Sequence, residues 1–88
     1  MLKNTYSLLD TKAQTYTNPF YFAQNGEALR ALDGIVNDGQ TQVSKYPEDF
    51  QLYKIGTFDD VSGEIKGHEP EFIAKALDFK KGHKTEEK

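Results

Sequence analysis

The fold of this chain is decided by the stretch Phe50-Gln51-Leu52-Tyr53-Lys54-Ile55-Gly56-Thr57-Phe58. It is rich in aromatic and β-branched residues, which favour strands. Phe50 and Leu52 alternate with Tyr53 and Ile55, as the two faces of a pleated strand would, until Gly56 breaks the run. We therefore predict a β-strand over these residues, at the centre of a sheet.

Two further elements are expected after this strand. Residues 59–63, Asp-Asp-Val-Ser-Gly, read as a hairpin connection in which Gly63 can supply a positive φ, and a short strand follows around residues 64–68. Pro70 suits the first position of a helix, and apolar residues at 72, 73, 76 and 77 repeat at helical spacing. The sequence thus predicts a short C-terminal helix within residues 70–79.

Before the strand, the hydrophobic period is that of a helix. Asn25 is the expected N-cap, and the helix should end near residues 37–39, where Gly39 can adopt the left-handed conformation. Residues 40–49 read as a loop with one helical turn after Pro47. The apolar residues of the helix recur three and four positions apart and share one side: Ala28, Leu29, Leu32, Ile35 and Val36.

The N-terminal segment is predicted to form a hairpin. Tyr6 and Leu8 share one face of a strand over residues 5–10, and residues 10–13 read as a turn. Pro19 cannot donate to a ladder, so the second strand should lie at a sheet edge or be broken. Three aromatic residues of that strand share one parity: Tyr16, Phe20 and Phe22.

Together these elements define an α+β fold, in which two hairpins build an antiparallel sheet, one main helix packs across it, and a short helix ends the domain. Residues 1–79 should form this single domain, and residues 80–88 a charged, flexible tail. The predicted core consists of Leu8, Phe20, Phe22, Leu29, Leu32, Val36, Leu52, Ile55 and Phe58.

Composition narrows the class of protein. The chain has 88 residues, no cysteine and a net charge of −3. Absence of cysteine excludes a disulfide framework and favours a reducing cytoplasm, and no apolar stretch approaches the roughly 20 residues of a membrane span. The negative charge opposes tight, non-specific binding to duplex DNA. Because so small a core leaves apolar surface wet, we expect a homodimer.

No catalytic or metal centre is predicted. Residues 59–64 carry three carboxylates but lack the ligand order of a calcium loop, and a turn explains them better. His68 has no second histidine at metal-binding spacing. The adjacent acidic pairs of the chain cannot face each other across a substrate as a catalytic acid and base do. We therefore expect no enzyme, no metal and no cofactor.

Aromatic residues interspersed with cations are the remaining signal. An exposed sheet face can stack nucleic-acid bases on its rings while cations follow the phosphates. Phenylalanines more often belong to the core, whereas a buried tyrosine needs a hydrogen-bond partner, so tyrosines are the better surface candidates. Eight residues are the predicted contacts to single-stranded DNA: Lys12, Tyr16, Tyr21, Arg30, Lys45, Tyr46, Tyr53 and Lys54.

Several short blocks carry a family resemblance. The most specific is a Pro-Glu-Asp loop that leads into a strand ending in Ile-Gly-Thr-Phe-Asp. Over about residues 5–65, the blocks are Tyr6 with Asp10-Thr11-Lys12-Ala13, then Asn18-Pro19-Phe20-Tyr21, Glu27-Ala28-Leu29-Arg30, Val36-Asn37-Asp38, Ser44-Lys45-Tyr46-Pro47-Glu48-Asp49-Phe50, and Leu52-Tyr53-Lys54-Ile55-Gly56-Thr57-Phe58-Asp59-Asp60 with Gly63. Together they resemble the small nonstructural protein of gokushoviruses, phages of the Microviridae with circular single-stranded DNA genomes.

The resemblance implies a non-capsid viral protein of the host bacterial cytoplasm that serves DNA replication or the synthesis of single strands for packaging. We therefore predict a DNA-binding protein that binds single-stranded DNA without strong sequence preference. We expect no membrane partner. One alternative is a protein–protein interaction module that docks on a viral or host replication protein, or on a capsid protein, without touching DNA. A small nuclease using Asp59, Asp60 or His68 is a third.

Overall fold

Residues 1–81 are described by the computed structural model, which has a sheet layer and a helical layer. The sheet contains five antiparallel strands: β1 (Leu2–Asp10), β2 (Thr15–Tyr16), β3 (Phe20–Phe22), β4 (Phe50–Asp59) and β5 (Ile65–Lys75). Their order is β2-β1-β4-β5, and β3 also pairs with β1. The stretch that begins at Phe50 is therefore an inner strand, as predicted. The N-terminal hairpin is also confirmed, with its second strand broken at residues 17–19.

The helical layer is built mainly by α1 (Asn25–Val36). A four-residue helix, α2 (Gln42–Lys45), lies in the segment predicted to be a loop, and Thr41 caps it by accepting a hydrogen bond from the backbone N–H of Ser44 at 3.0 Å. Two 3-10 helices follow, at Pro47–Asp49 and Ala76–Phe79. One main helix on an antiparallel sheet confirms the predicted α+β class.

The start of α1 differs from the predicted one. Gln24, not Asn25, is the N-cap. Glu27 reaches back and accepts hydrogen bonds from the backbone N–H groups of Ala23 at 3.0 Å and Gln24 at 3.2 Å. The Asn25 side chain is turned towards the sheet, where its Oδ1 accepts a hydrogen bond from the Tyr6 hydroxyl. Asn25 therefore ties the helix to β1 rather than capping it.

The core lies between α1 and the sheet. Leu8 and Leu52 pair directly across β1 and β4, and both are buried. Three of the other predicted core residues, Phe20, Phe22 and Leu29, are partly buried against this centre. Within residues 1–81, the buried hydrophobic residues are Tyr6, Leu8, Ala28, Leu32, Val36, Val43, Phe50, Leu52 and Ala76.

Tyr6, which the predicted core does not include, is the largest fully buried side chain within residues 1–81. Its hydroxyl donates to Asn25 Oδ1 at 2.5 Å and accepts from Asn4 Nδ2 at 3.0 Å. Both hydrogen-bonding roles of the phenol are thus satisfied inside the protein, which removes the main cost of burying it. Phe20 and Phe22 pack on its ring at centroid distances of 6.0 and 6.4 Å.

Two predicted core residues, Ile55 and Phe58, lie outside the core. The register of β1 and β4 shifts between Thr5, which pairs with Gly56, and Tyr6, which pairs with Lys54. Ile55 is the extra residue of this bulge. Strand alternation is inverted beyond it, so Phe58 lies on the face opposite Leu52 and is only partly buried.

The predicted C-terminal helix is wrong over residues 70–75, which continue β5. Phe72 pairs with Tyr53 and Ala74 with Leu52, so Ile73 is an unpaired bulge residue. Ile73 and Ala74 therefore both pack against the core. Because the bulge turns both of these adjacent residues to the same side of β5, the apolar pattern departs from strand alternation and resembles that of a helix. Helical structure is confined to Ala76–Phe79.

Glycines have specific roles at the predicted turns and in β4. Gly39 and Gly63 adopt positive φ angles of 79° and 80°, as expected after α1 and in the β4–β5 turn. Gly56 is buried where the backbone of β5 approaches β4 closely. A Cβ at this position would overlap the Lys66 carbonyl oxygen and lie 3.1 Å from Gly67 Cα. Gly34 in α1 is exposed, with no atom near a built Cβ.

The beginning of the predicted tail contacts the helical layer. Lys80 Nζ donates to the carbonyl oxygen of Ser44 at 3.2 Å, and the Lys81 backbone N–H donates to Asn37 Oδ1 at 2.9 Å. Residues 82–88, the remainder of that tail, lie outside the described residues.

Replacing two glycines by alanine should have opposite effects. Gly34→Ala should raise the free energy of unfolding by about 1 kcal/mol, because alanine is the better helix former and its methyl group has open space. Gly56→Ala should lower it by about 1–3 kcal/mol, because the methyl group meets backbone atoms that cannot move aside. Urea denaturation followed by circular dichroism measures both. A destabilising Gly34→Ala would contradict the exposed position of this glycine.

Tyr6 should make stability depend on pH in alkaline solution. Burial chiefly raises the pKa of its phenol above the ordinary value of 10.0, opposed by the Asn4 hydrogen bond and assisted by Glu27 and Glu71. With the folded-state pKa raised, the unfolded chain ionises first, so this contribution is complete below pH 10 and is lost as pH rises further.

Tyr6→Phe should therefore lose about 1 kcal/mol at neutral pH, from the missing hydrogen bonds, and should show a smaller alkaline decrease than the parent protein. Urea denaturation at about pH 8 and about pH 11 gives both differences. Tyr46→Phe is the matched control, since Tyr46 is 50% exposed. Equal alkaline losses in the parent and in Tyr6→Phe would contradict the raised pKa.

Candidate nucleic-acid interface

The helical layer covers one face of the sheet and leaves the other open. Side chains alternate along β1, where Tyr6 and Leu8 lie in the core. Residues paired across an antiparallel ladder project to the same side. The open face therefore consists of Lys3, Thr5, Ser7 and Leu9 of β1, the residues that pair with them on β2, β3 and β4, and the β5 residues that pair with those of β4.

A first aromatic cluster, made of Tyr16, Tyr53 and Phe72, occupies one end of the open face. The Tyr53 ring meets Tyr16 at a centroid distance of 5.9 Å and an interplanar angle of 84°, and meets Phe72 at 5.7 Å and 73°. These edge-to-face contacts join β2, β4 and β5. Tyr16 remains 44% exposed and Phe72 49%, so ring surface is available at the cluster.

A second aromatic cluster, made of Tyr21 and Phe58, occupies the other end. The two ring centroids are 5.2 Å apart. Tyr21 pairs with Thr5, and Phe58 pairs with Lys3. Tyr21 is 37% exposed. No aromatic contact joins this cluster to the first among residues 1–81.

Small side chains on β1 allow the rings to meet. β1 lies between β4 on one side and β2 and β3 on the other, so each cluster closes over it. Beneath the rings, Ser7 is fully buried and its Oγ donates to the Thr17 carbonyl oxygen at 2.7 Å. Thr5 is also buried, and its Oγ1 has no hydrogen-bond partner within the described part of the chain. A large residue at either position would separate the rings.

Lysines flank the two clusters. Lys75 pairs with Gln51, which pairs with Leu9, so this lysine lies at the end of the first cluster. Lys3 lies at the second cluster, with its Nζ 3.9 Å from Asp60 Oδ2. The acidic residues of the paired positions lie on the helix side of the sheet: Asp10 opposite Phe50, Asp59 opposite Leu2, and Glu71 opposite Lys54. The paired positions of the open face thus carry cations and rings without carboxylates.

Four of the eight predicted contact residues lie on or beside the open face. Tyr16, Tyr21 and Tyr53 are on it, as described above. Lys12 lies in the turn after β1, where its backbone N–H donates to Asp10 Oδ1 at 3.0 Å. This turn directly follows the pair formed by Leu9 and Tyr16. The structure therefore brings Tyr16 and Tyr53 into contact and places Tyr21 on the same face, at the other cluster.

The other four predicted residues lie apart from this face. Lys54 pairs with Tyr6 and so projects to the helix side of the sheet. Arg30 is exposed on α1, Lys45 is in α2, and Tyr46 follows it directly. These four residues belong to the helical layer or to the face that it covers.

Sequence reasoning did not select four residues of the open face: Lys3, Phe58, Phe72 and Lys75. Lys3 is an even number of residues from Ser7, so strand alternation alone would have placed it on the face opposite Tyr6 and Leu8. Phe58 was assigned to the core because the bulge at Ile55 leaves no trace in the residue pattern. Phe72 and Lys75 were missed because their segment was predicted to be helical.

The acidic hairpin at residues 59–64 is a turn. Asp59 Oδ1 accepts a hydrogen bond from the Val61 backbone N–H at 2.9 Å, which is the main cause of the lowered pKa of this carboxyl. A shallow depression of about 340 Å³ lies beside it and is lined by Leu2, Thr57, Asp59, Glu64 and Lys66. Within residues 1–81, no three histidine or acidic side chains are grouped so as to hold a metal ion.

The fold and the site define a small α+β protein whose sheet is covered by helices on one face and carries exposed aromatic clusters on the other. No helix within residues 1–81 combines the length and apolar character needed to cross a membrane. The chain belongs to the Phage ORF5 protein family, whose model matches residues 3–79. This confirms that it is a phage protein. Searches of curated proteins and of solved structures returned no match.

Proposed function

We propose that this protein binds single-stranded DNA on the open face of its sheet, without strong sequence preference. The observation that carries the proposal is the pair of partly exposed aromatic clusters, flanked by Lys3 and Lys75, on a face whose paired positions have no carboxylate. Rings stack on any base because every base has a π face. Lysines near the ring clusters would contact phosphates.

A single strand suits this surface better than a duplex does. Base faces are hidden in a duplex, where a protein reads edges and phosphates instead. The chain carries a net charge of −3, and the open face offers only a few cations, so phosphate contacts alone would give weak binding. Stacking contributes about 1–3 kcal/mol per base. Affinity should therefore depend on the rings and be weak to moderate.

The family match supports a role in a phage infection, and the sequence resemblance narrows the proposal to gokushoviruses. In this proposal the protein is a non-capsid component in the bacterial cytoplasm. It would hold exposed viral single strands during replication or during synthesis of strands for packaging. It acts by binding, with no catalytic step.

Fluorescence anisotropy with a labelled oligonucleotide of mixed sequence tests the proposal. Tyr16→Ala and Phe72→Ala should each weaken binding by about 5-fold to 150-fold, from the loss of about 1–3 kcal/mol of stacking. Tyr46→Ala is the matched control, because Tyr46 is similarly exposed but lies next to α2. Lys75→Ala and Lys45→Ala form a second matched pair, in which only the first should weaken binding.

Salt separates this function from protein docking. The logarithm of the binding constant should fall with the logarithm of salt concentration by about 0.7 per phosphate contact, giving a slope of about 1–2 for two or three lysines. Absence of oligonucleotide binding at low salt would reject the DNA proposal. It would leave the interaction module, in which the same rings dock on a replication or capsid protein nearly independently of salt.

The expected homodimer stays a prediction with its own test. Size exclusion with light scattering should give about twice the 10.0 kDa mass of one chain, because a second copy would cover apolar surface that a small core leaves exposed. A measured mass of a single chain at high protein concentration would contradict it.

A further inference from the structure

We infer that the open face holds two separate base-stacking sites, so that its full ligand is a single strand long enough to reach both. This inference rests on the proposed function and adds a minimum length to it. The sites are the first cluster (Tyr16, Tyr53 and Phe72) and the second cluster (Tyr21 and Phe58).

The distance between the sites follows from the register of β1. The first cluster is centred between the partners of Leu9 and Ser7, and the second between the partners of Thr5 and Lys3. The two centres are therefore four residues apart along β1, which is about 14 Å at a rise of about 3.4 Å per residue. The rings of one cluster do not contact those of the other among residues 1–81.

This distance exceeds the reach of two adjacent bases. Stacked nucleotides rise about 3.4 Å each, so a stacked strand needs about four steps, or five nucleotides, to cover about 14 Å. A strand whose bases are pulled apart covers more length per step and needs fewer nucleotides. A dinucleotide can occupy one cluster only, whereas about three to five nucleotides are enough to occupy both.

The flanking cations fit such a bound strand. Lys75 lies at the outer end of the first cluster, and Lys3, whose Nζ is 3.9 Å from Asp60 Oδ2, lies at the outer end of the second. A strand that lies along β1 would meet a lysine at each end and would compete with Asp60 for Lys3. Ser7 and Thr5, on the inner sides of the first and second clusters respectively, are small and buried, so β1 projects no bulky side chain into the path between the clusters.

Once a strand is bound at one cluster, its binding to the other cluster is an intramolecular step. Affinity should therefore rise abruptly when the strand becomes long enough to reach both clusters. Competition anisotropy with deoxythymidine oligonucleotides from two to ten nucleotides measures this. Between two nucleotides and about five, the dissociation constant should improve by about tenfold or more, and only gradually for longer strands.

Removing either site should remove the step. The Phe72→Ala variant of the first cluster and the Tyr21→Ala variant of the second should each bind a hexanucleotide little better than a dinucleotide. Tyr46→Ala should keep the step, since Tyr46 lies next to α2. Circular dichroism and thermal unfolding establish that each variant is folded.

A measurement without substitutions guards against altered folding. In two-dimensional NMR titrations of the parent protein, the amides of Ser7 and Lys3 report the first and second clusters respectively. With a dinucleotide these two amides should titrate with different dissociation constants, because each site fills independently. With a hexanucleotide they should titrate with a single, lower one.

The outcomes distinguish the two proposals. A smooth gain of affinity with length and no step, or a step beyond about eight nucleotides, would overturn the two-site inference while leaving single-strand binding intact. Perturbation of only one cluster by the hexanucleotide would overturn it as well. No binding at any length in low salt would reject the proposed function itself.

Discussion

The helical layer of this protein is large enough to cover one face of its sheet, and that limit governs the rest of the structure. The single twelve-residue helix α1 buries Ala28, Leu32 and Val36 against the inner strands. The other face has to be stable while open to water. It achieves this with aromatic rings that contact one another across strands, edge to face in the first cluster and tilted in the second, and that cover small residues of β1.

The link between the two layers depends on a buried phenol. Tyr6 lies at the centre of the core, and its hydroxyl joins Asn4 of the sheet to Asn25 of the helix. A phenylalanine would fill the same space, but it would leave both amide groups without this partner. The hydrogen bonds thus fix the start of α1 over β1 as well as permitting the burial.

The open face combines aromatic rings and lysines on a protein with a net charge of −3. Its paired positions hold rings and lysines, while Asp10, Asp59 and Glu71 pair on the opposite side. Because side chains alternate between the two faces of the sheet, the lysines of the open face are separated from the carboxylates of the paired positions. The open face is therefore locally less acidic than the chain as a whole. Net charge describes long-range attraction, whereas stacking and short-range contacts depend on which residues share a face.

The sequence by itself determined those secondary-structure elements that depend only on residues close together in the chain. Alternation gave β1 and β4, three- and four-residue spacing gave α1, and the glycines at 39 and 63 gave the turns, because each depends on local backbone preference. Tertiary structure decided the rest. The bulge at Ile55 moved Phe58 to the open face, and the bulge at Ile73 kept residues 70–75 in a strand. Cross-strand register, which no single segment encodes, placed Tyr16 beside Tyr53 and Phe72 and moved Lys54 away from them, because pairing partners come from distant parts of the chain.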